Sequence, residues 1–363
     1  MPNIIFWNSF TDIHCMIFSK LYKLTIFIFT LSFVSVLASE SGPFPYPIDI
    51  VYLWVDGKDP AWLECKECYR EGEGLLDKSK LEGAQENRFS DHQELKYSLR
   101  SILKFAPFFN HVYIVTMSQR PEWLLDHPQI TIIDHKDIFK DLSLLPTFNS
   151  QALECHLHRI PNLSEHFIYF NDDVFVGLPL TPYDFFTEDG KVKVLFEEGY
   201  TVSDNPVVQA TLYRQAWVNS NALLDACFIP EKRHRLCHAP FALKKSWIEQ
   251  VEDMFPFVFE ENSSHRFRAA TNYNVTNGLF QYIWYYQNRV VIGDLKNQMA
   301  SMFNDLDLDR NKIALDELKN EPKHTFCIQD CMLGASDKTC KLLHDFMDSY
   351  LPDPAPWEIL PAE

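Results

Sequence analysis

The chain has 363 residues, of which 46% are hydrophobic and 14% aromatic, with only 11 glycines, and this composition predicts a globular protein and excludes wholesale disorder. Its formal charge of −17 argues against a nucleic-acid partner, because neutralising phosphates needs a basic surface. In so acidic a protein, a phosphate-bearing substrate would need divalent cations or a few well-placed arginines and lysines.

The first predicted element is an uncharged apolar segment of 15 residues, Leu24–Ala38, which follows Lys20 and Lys23. It is shorter than the roughly 20 residues of a membrane span and is typical of a signal-peptide core with a small-residue cleavage site at its end. Because the leader before it is long for a signal peptide, an uncleaved signal-anchor over 1–38 is the close alternative, and a buried helix is the third. The first two place the rest of the chain in the lumen of the secretory pathway.

That compartment is oxidising, so we expect disulfides among the cysteines beyond the leader. These are Cys65, Cys68, Cys155, Cys227, Cys237, Cys327, Cys331 and Cys340. The spacings of Cys65–Cys68 and Cys327–Cys331 imitate a zinc site, but their ordinary flanks favour disulfides, whose pairing stays open. Sequons at Asn162, Asn262 and Asn274 would accept glycans in the same compartment.

Alternating strands and helices are predicted along the first half of the chain. In order, these are a strand over 48–55, a loop over about 70–87, a helix over 90–105 with a Ser90/Gln93 capping box, a strand over 111–117, a short helix opened by Pro121, a strand over 130–135, a helix over about 149–159 and a strand over 166–170. Such alternation predicts an α/β fold, with a mostly parallel central sheet flanked by helices.

The pattern loosens after Lys191. It predicts a strand over 191–198, helices over 219–228, 242–255 and 277–287, and an irregular proline-rich tail over 352–361. Aromatic residues recur at helical spacing over 277–287, which favours a place in the core. We expect a single catalytic domain over 48–358, with helical additions in its C-terminal half.

Polar and acidic residues follow the predicted strands where each one ends: Asp56-Gly57, Thr116, Asp134-His135 and Asn171-Asp172-Asp173. Ligands of parallel α/β sheets bind beyond the carboxyl ends of the strands. Two adjacent carboxylates are unfavourable in an apolar interior unless something positive lies against them. The last run is therefore either a solvated acidic turn or a site for Mg²⁺ or Mn²⁺ held against a diphosphate.

Long blocks of the chain resemble the Stealth family of sugar-1-phosphate transferases. They include "IDIVYLWVDG", "RFSDHQELKYSLRSILKFAP", "LPTFNSQALECHLHRIPNLSEHFIYFNDDVFVG", "HAPFALKK", "FCIQD" and "LPDPAPWE", and lie in family order within 48–57, 88–196, 229–287 and 324–358. The family includes bacterial capsule polymerases and the eukaryotic N-acetylglucosamine-1-phosphotransferase that tags lysosomal enzymes. The block 88–177 is closest to the catalytic core of the eukaryotic enzyme, the alpha/beta subunit precursor.

The resemblance implies a Rossmann-like fold of the nucleotide-sugar-transferase type. It also implies metal-dependent transfer of a hexose 1-phosphate, N-acetylglucosamine 1-phosphate by analogy, from a UDP-sugar to a glycan or glycoprotein hydroxyl, with release of UMP. A glycosyltransferase that releases UDP and a non-catalytic, glycan-binding accessory protein are the alternatives. The segment between Gly177 and His238 has no room for the insertions with which the eukaryotic enzyme selects lysosomal proteins. That acceptor is therefore not implied, although a Golgi location is.

The resemblance also implies catalytic residues. His238 would be the general base, since imidazole titrates near lumenal pH. Arg268 would hold a phosphate oxygen through a bidentate contact, with Arg266 as its rival. Asp173 and Glu154 would add carboxylates at the same edge. A structural histidine and a solvated glutamate are the ordinary alternatives for His238 and Glu154.

Binding residues are implied in the same way. Asp172, Asp173 and Asp330 would hold Mg²⁺ or Mn²⁺, although Gln329 stands where the family has an Asn before Asp330. The nucleotide sugar would be approached by Asp56, Gly57 and Asn171.

The segment over 305–318 resembles the EF-hand calcium loop of the eukaryotic enzyme. Glu317 falls at position 11 or 13 instead of 12, and Lys312 or Arg310 replaces the glycine of position 6. We therefore expect a degenerate loop that does not bind Ca²⁺ well. The aromatic content is compatible with a homo-oligomer, and membrane anchoring would fall to the N-terminal segment.

Overall fold

The computed structural model describes residues 44–72, 88–201, 211–303, 308–330 and 336–360, with backbone alone described for 198–201, 297–303 and 330. The predicted leader, most of the predicted loop over 70–87, and Cys331 lie outside these ranges. The described residues beyond Phe44 form one compact unit. None of the helices described is both long and apolar enough to cross a membrane.

The strands of the described chain are short, and most are buried. They are β1 (Ile48–Leu53), β2 (Val112–Thr116), β3 (Ile130–Asp134), β4 (His166–Asn171), β5 (Val174–Val176), β6 (Val192–Val194), β7 (Phe196–Thr201), β8 (His234–Leu236), β9 (Phe241–Lys244), β10 (Val290–Ile292), β11 (Asn297–Phe303) and β12 (Thr325–Asp330). The central sheet has the order β3-β2-β1-β4-β9. β1 runs parallel to β2 and β4, β2 runs parallel to β3, and β9 is antiparallel to β4. The predicted mostly parallel sheet is confirmed.

Helices flank the sheet, and most of them belong to the second half of the chain. They are α1 (Pro60–Gly72), α2 (Glu94–Phe105), α3 (His135–Ile138), α4 (Ser150–Glu154), α5 (Leu212–Cys227), α6 (Lys245–Met254), α7 (Pro256–Ser264), α8 (Phe280–Tyr286), α9 (Leu308–Asn320) and α10 (Asp337–Tyr350). The aromatic helix α8 is core as expected, with Phe280, Tyr282 and Trp284 buried. A π-helical turn, Val275–Leu279, leads into it.

Three predicted helices differ from the structure. The segment 242–244 is not helical but belongs to β9, because it pairs with β4 and extends the sheet. The segment after Pro121 forms no helix, since its backbone bonds to the C-terminal tail through Leu125 N to Trp357 O and Ile359 N to Trp123 O. The helix predicted over 149–159 is broken into α4 and a 3₁₀ turn, Leu157–Arg159.

Helix α1 was not predicted at all, and it contains the first residues of the predicted loop over 70–87. The calcium-loop-like segment is helical from Leu308 onward, as part of α9. Asp305 and Asp307, which would begin such a loop, lie outside the described residues.

The proline-rich tail is irregular, as predicted, but part of it is buried. Trp357 and Glu358 are 0% and 4% exposed. Arg100 of α2, itself 8% exposed, donates from Nε and Nη2 to the two carboxylate oxygens of Glu358 at 2.7 and 2.6 Å. Arg100 also donates to Leu351 O at 2.9 Å. One buried ion pair therefore fastens the tail to the helix that begins beside the sheet edge.

Two of the three sequons cannot carry a glycan in this fold. Asn262 and Asn274 are 0% and 2% exposed, and Asn262 Nδ2 donates to the carbonyls of Gln151 and Tyr273. Only the sequon of Asn162 lies on the surface.

The cysteine prediction also needs correction. Cys65, Cys68, Cys155, Cys227 and Cys327 are free thiols. Cys65 and Cys68 stand three residues apart on α1, where Cβ atoms lie about 5–6 Å apart, too far for the roughly 4 Å of a disulfide.

Candidate functional site

The carboxyl ends of β1 and β4 lie side by side at one edge of the sheet, because Leu53 pairs with Asn171 in parallel register. Asp172 and Asp173 follow β4 directly and are both half-buried. These two adjacent carboxylates face different partners. Asp172 interacts with Asp91 and Glu94, whereas Asp173 contacts His238 and Cys327. The two acidic residues therefore belong to two chemically distinct halves of one site.

The first half is an all-carboxylate cluster formed by Asp91, Glu94 and Asp172. Burial, followed by repulsion from Asp173 and Asp91, raises the pKa of Asp172 well above its usual range. Burial, Asp91 and Asp172 do the same to the pKa of Glu94. The pKa of Asp91 is raised by burial, with Asp56 adding repulsion and a hydrogen bond to Glu94 opposing it. Burial and mutual repulsion therefore both disfavour the full ionisation of these three carboxyls.

Local structure explains why Asp91 and Glu94 converge there. The predicted capping box of Ser90 and Gln93 is wrong, since α2 begins at Glu94 and Gln93 takes a left-handed φ of 67° with no side-chain cap. Asp91 Oδ1 accepts from Gln93 N at 2.9 Å, and Glu94 Oε2 accepts from His92 N. These bonds keep 91–93 out of the helix and hold both carboxylates at the sheet edge.

The second half of the site centres on His238, which follows β8. Its Nε2 lies 3.2 Å from Asn171 Nδ2 and 3.3 Å from Asp173 Oδ1. A neutral nitrogen can accept a hydrogen bond from the Asn171 amide, and a protonated one can donate to the Asp173 carboxylate. Both protonation states of the imidazole therefore have a partner, which suits a group that takes up a proton during a reaction.

The carboxylate of Glu154 lies against β4, on the side of the strand that Tyr169 faces. Glu154, at the end of α4, is 9% exposed and accepts from Thr276 Oγ1 at 2.6 Å and from Tyr169 Oη at 3.4 Å. Burial raises the pKa of its carboxyl, while Thr276 and the charge of Arg268 oppose that shift. The solvated helix-face alternative for Glu154 is wrong.

The two candidate arginines have different surroundings. Arg268 lies near Glu154 and donates from Nη2 to Ser150 Oγ at 2.8 Å. Arg266 donates to Ser143 O at 3.1 Å and stacks its guanidinium 4.8 Å from the ring of Tyr69. Arg266 is therefore engaged with a neighbouring loop, and Arg268 is the arginine that lies beside the site.

Asp56 and Gly57 form the turn after β1. Gln119 clamps this turn, accepting from Asp56 N at 3.1 Å and donating to Asp56 O at 2.9 Å. A Cβ on Gly57 would lie 2.0 Å from Phe89 O, so only glycine lets the turn approach the backbone that leads into Asp91.

Gly57→Ala is therefore expected to separate the turn from the segment before α2 and to destabilise the fold by about 1–3 kcal/mol, the range of an overpacked site. Gly72→Ala is the matched control, because a Cβ there meets no atom within 4 Å. Urea unfolding of both variants measures the difference. Equal midpoints would show that the contact with Phe89 is not restrictive.

The predicted ligand Asp330 and the acidic strand end at Asp134 have other outcomes. Asp330 ends β12 and its side chain lies outside the description, while Gln329 before it is half-buried. Asp134 caps α3 by accepting from Lys136 N at 3.0 Å, and Ser118 and Lys136 hold the pKa of its carboxyl low despite partial burial. Asp134 is accordingly a structural cap.

Sequence reasoning missed three residues of the site. Asp91 lies within the predicted capping box and Glu94 directly after it, and the available signal was two acidic residues opening a helix next to the sheet edge. Cys327 was counted as a disulfide candidate, but it is 0% exposed and its thiol contacts Asp173. No spacing rule links Cys327 to His238, because β12 reaches the site by pairing with β5.

The carboxylate cluster has the donor chemistry of a site for a hard divalent cation. Its donors are all oxygens, which Mg²⁺ and Mn²⁺ prefer. Burial and mutual repulsion raise the pKa values of Glu94 and Asp172, and added positive charge would oppose that repulsion. A cation would supply that charge and displace protons as it binds.

Comparison with known proteins gives a consistent match along the chain. Four family models match in order: Stealth protein CR1, conserved region 1, at 46–74; CR2 at 88–194; CR3 at 237–285; and CR4 at 316–363. An exopolysaccharide phosphotransferase of Streptomyces coelicolor is 38% identical over 319 residues, 86% of this chain and 52% of that protein. A capsular polysaccharide phosphotransferase of Haemophilus influenzae is 34% identical over 322 residues, 84% of each chain.

The chain thus spans about half the length of the Streptomyces protein. Among solved structures, the galactosyltransferase LgtC with donor and acceptor sugar analogs aligns with a TM-score of 0.42 at 13% identity, over 83% of this chain and 95% of that chain. That likeness is too distant to transfer a residue or a substrate.

Proposed function

The chain belongs to the Stealth family, and from this premise we propose that it transfers a sugar 1-phosphate from a nucleotide sugar to a hydroxyl of a glycan. The observation that carries the proposal is the sheet edge itself. His238 contacts Asn171 and Asp173 there, an arrangement that suits proton transfer, and the carboxylates of Asp91, Glu94 and Asp172 lie beside it.

In the proposed reaction the acceptor oxygen attacks the sugar-bearing phosphorus of a UDP-sugar. A bond forms between that oxygen and phosphorus, the bond from phosphorus to the bridging oxygen breaks, and UMP leaves. His238 Nε2 takes the proton of the acceptor hydroxyl, and the protonated ring is then held by Asp173. Arg268 and Glu154 lie on the same side of β4, where the guanidinium would offset phosphate charge.

Asp91, Glu94 and Asp172 would hold Mg²⁺ or Mn²⁺, which when bound neutralises charge on the diphosphate and on the departing UMP. Asp56 and Gly57 sit next to this cluster, since Asp56 repels Asp91 and Gly57 packs on Phe89. That position supports their predicted place near the nucleotide.

The finer parts of the proposal rest on the family. N-acetylglucosamine 1-phosphate is the proposed group and a polysaccharide or glycoprotein glycan the proposed acceptor. The secretory or Golgi location depends on the segment Leu24–Ala38 and stays a prediction, as do membrane anchoring and homo-oligomerisation.

Product analysis tests the proposal directly. The full chain is incubated with UDP-N-acetylglucosamine, Mg²⁺ and a mannoside, and UMP is separated from UDP. We expect UMP release that requires both acceptor and metal. EDTA should abolish this release, and added Mg²⁺ or Mn²⁺ should restore it.

Other products would contradict specific parts of the proposal. Attack at the sugar carbon would release UDP and make the protein a glycosyltransferase. Nucleotide-sugar binding without either product would indicate a glycan-binding accessory protein, and a panel of donors distinguishes this from a wrong choice of sugar.

A further inference from the structure

Three different ligand atoms meet at the second half of the site. They are Asp173 Oδ1, His238 Nε2 and the thiol sulfur of Cys327, and all three lie within 4.8 Å of one another. They come from the end of β4, the residue segment after β8, and β12. No two of them are close in sequence, so the fold has assembled this set from three separate elements.

The spacing of these atoms fits a tetrahedral metal. Zinc binds nitrogen and carboxylate oxygen at about 2.0–2.2 Å and sulfur at about 2.3 Å, so two ligands of one tetrahedral ion lie roughly 3.3–3.6 Å apart. His238 Nε2 and Asp173 Oδ1 are 3.3 Å apart. Cys327 Sγ lies within 4.8 Å of both of these atoms. It would have to approach them by little more than about 1 Å to reach the spacing of ligands on one tetrahedral ion.

The donor types separate this set from the carboxylate cluster beside it. One thiolate, one imidazole and one carboxylate select zinc and similar borderline metals, whereas carboxylates alone suit Mg²⁺ or Mn²⁺. Asp91, Glu94 and Asp172 supply only oxygens. Two neighbouring positions at one sheet edge therefore differ in metal preference. Asp172 belongs to the oxygen-only set and Asp173 to the set with nitrogen and sulfur.

Burial leaves one side of the triangle accessible. Cys327 is 0% exposed and closes the inner side, while the side chains of His238 and Asp173 are 15% and 23% exposed. Three protein ligands with an open fourth position is the arrangement of zinc sites that also bind water or a ligand.

We propose that Asp173, His238 and Cys327 form a binding site for a divalent transition metal of the zinc class, distinct from the Mg²⁺ or Mn²⁺ position at Asp91, Glu94 and Asp172. The fourth coordination position faces the accessible side of the sheet edge.

Occupancy has a chemical consequence for the proposed reaction, and this consequence rests on the proposed function. A metal on His238 Nε2 uses the lone pair that would accept the acceptor proton. We therefore expect zinc-class ions to inhibit sugar-phosphate transfer in a reaction supported by excess Mg²⁺.

Cobalt is the probe for the site, because a thiolate bound to Co²⁺ gives a charge-transfer absorption that oxygen and nitrogen ligands do not give. In the metal-free protein, burial and Asp173 raise the pKa of the Cys327 thiol well above its usual range. The thiolate, and hence the band, forms only when the metal displaces the proton.

The experiment titrates the full chain with Co²⁺ in excess Mg²⁺. We expect one equivalent of Co²⁺ to bind and to give both the charge-transfer band and intense tetrahedral ligand-field bands. One equivalent of Zn²⁺ should displace the Co²⁺ and remove both. Cys327→Ser is expected to abolish the charge-transfer band. The matched control is Cys227→Ser, which removes an exposed free thiol outside the triangle and should leave both bands intact.

His238→Gln keeps the thiol and decides the case if Cys327→Ser does not fold, as judged by circular dichroism. It should lose the tight equivalent of Co²⁺. A charge-transfer band that persists in Cys327→Ser, or tight binding that persists in His238→Gln, overturns the proposal. Absence of transferase activity together with an intact cobalt spectrum would count against the proposed function alone.

Discussion

Asp173→Asn and His238→Ala are each expected to reduce sugar-phosphate transfer by at least about 10²-fold while the protein stays folded. Loss of a positioned general base typically lowers rates by about 10²–10⁴-fold. His238→Ala removes the base itself. Asp173→Asn removes the carboxylate that receives the hydrogen bond of the protonated ring.

Stability should not fall with turnover for Asp173→Asn. Repulsion from Asp173 is one of the causes that raise the pKa of Asp172, so the substitution removes an unfavourable interaction at neutral pH. The melting temperature without metal should stay the same or rise as turnover falls. If Asp173 had a purely structural role, the substitution would lower both the melting temperature and turnover.

His111→Ala is the matched control, since His111 precedes β2 at the opposite ends of the strands from the site. Its ring hydrogen-bonds Thr131 and packs against Tyr113, away from the site residues. It should leave turnover unchanged. Turnover near the parent value in both site variants, measured as UMP release at saturating donor, would show that the site has been assigned to the wrong residues.

The sheet edge was predictable because strand signals and their polar ends lie together in the sequence. β1, β2, β3 and β4 were each recognised from an apolar run, and parallel pairing then required Asp56 and Asn171 to lie near each other. His238 and Arg268 were found only through the family resemblance, since nothing in their local sequence marks a site.

The remaining features depend on contacts between distant segments, which a local pattern does not contain. The segment 242–244 has helical periodicity, but pairing with β4 makes it a strand. Glu94 opens a helix in sequence, but its carboxylate is held toward Asp91 and Asp172. Asn262 has the form of a glycan acceptor, yet two carbonyls bind its amide in the interior.

Arg100→Ala is expected to destabilise the protein by about 3–5 kcal/mol, the typical effect of removing one partner from a buried ion pair. The variant leaves the Glu358 carboxylate in an environment where it is 4% exposed, with Lys96 Nζ at 3.9 Å as its nearest described cation. It also frees Leu351 O and the tail that β-bridges Leu124. Chemical denaturation at pH 7 measures the loss.

The mechanism of that loss can be separated from a simple loss of packing. An unpaired buried carboxyl has a raised pKa in the folded state, so stability should fall as pH rises above its ordinary value of about 4 and recover as pH falls. Arg100→Met with Glu358→Leu removes both charges and should restore much of the stability. Asp126→Ala, which breaks the exposed Arg120 pair at 2.8 Å, should change little. If Arg100→Ala and Asp126→Ala unfold at the same denaturant concentration, the buried pair does not hold the tail in place.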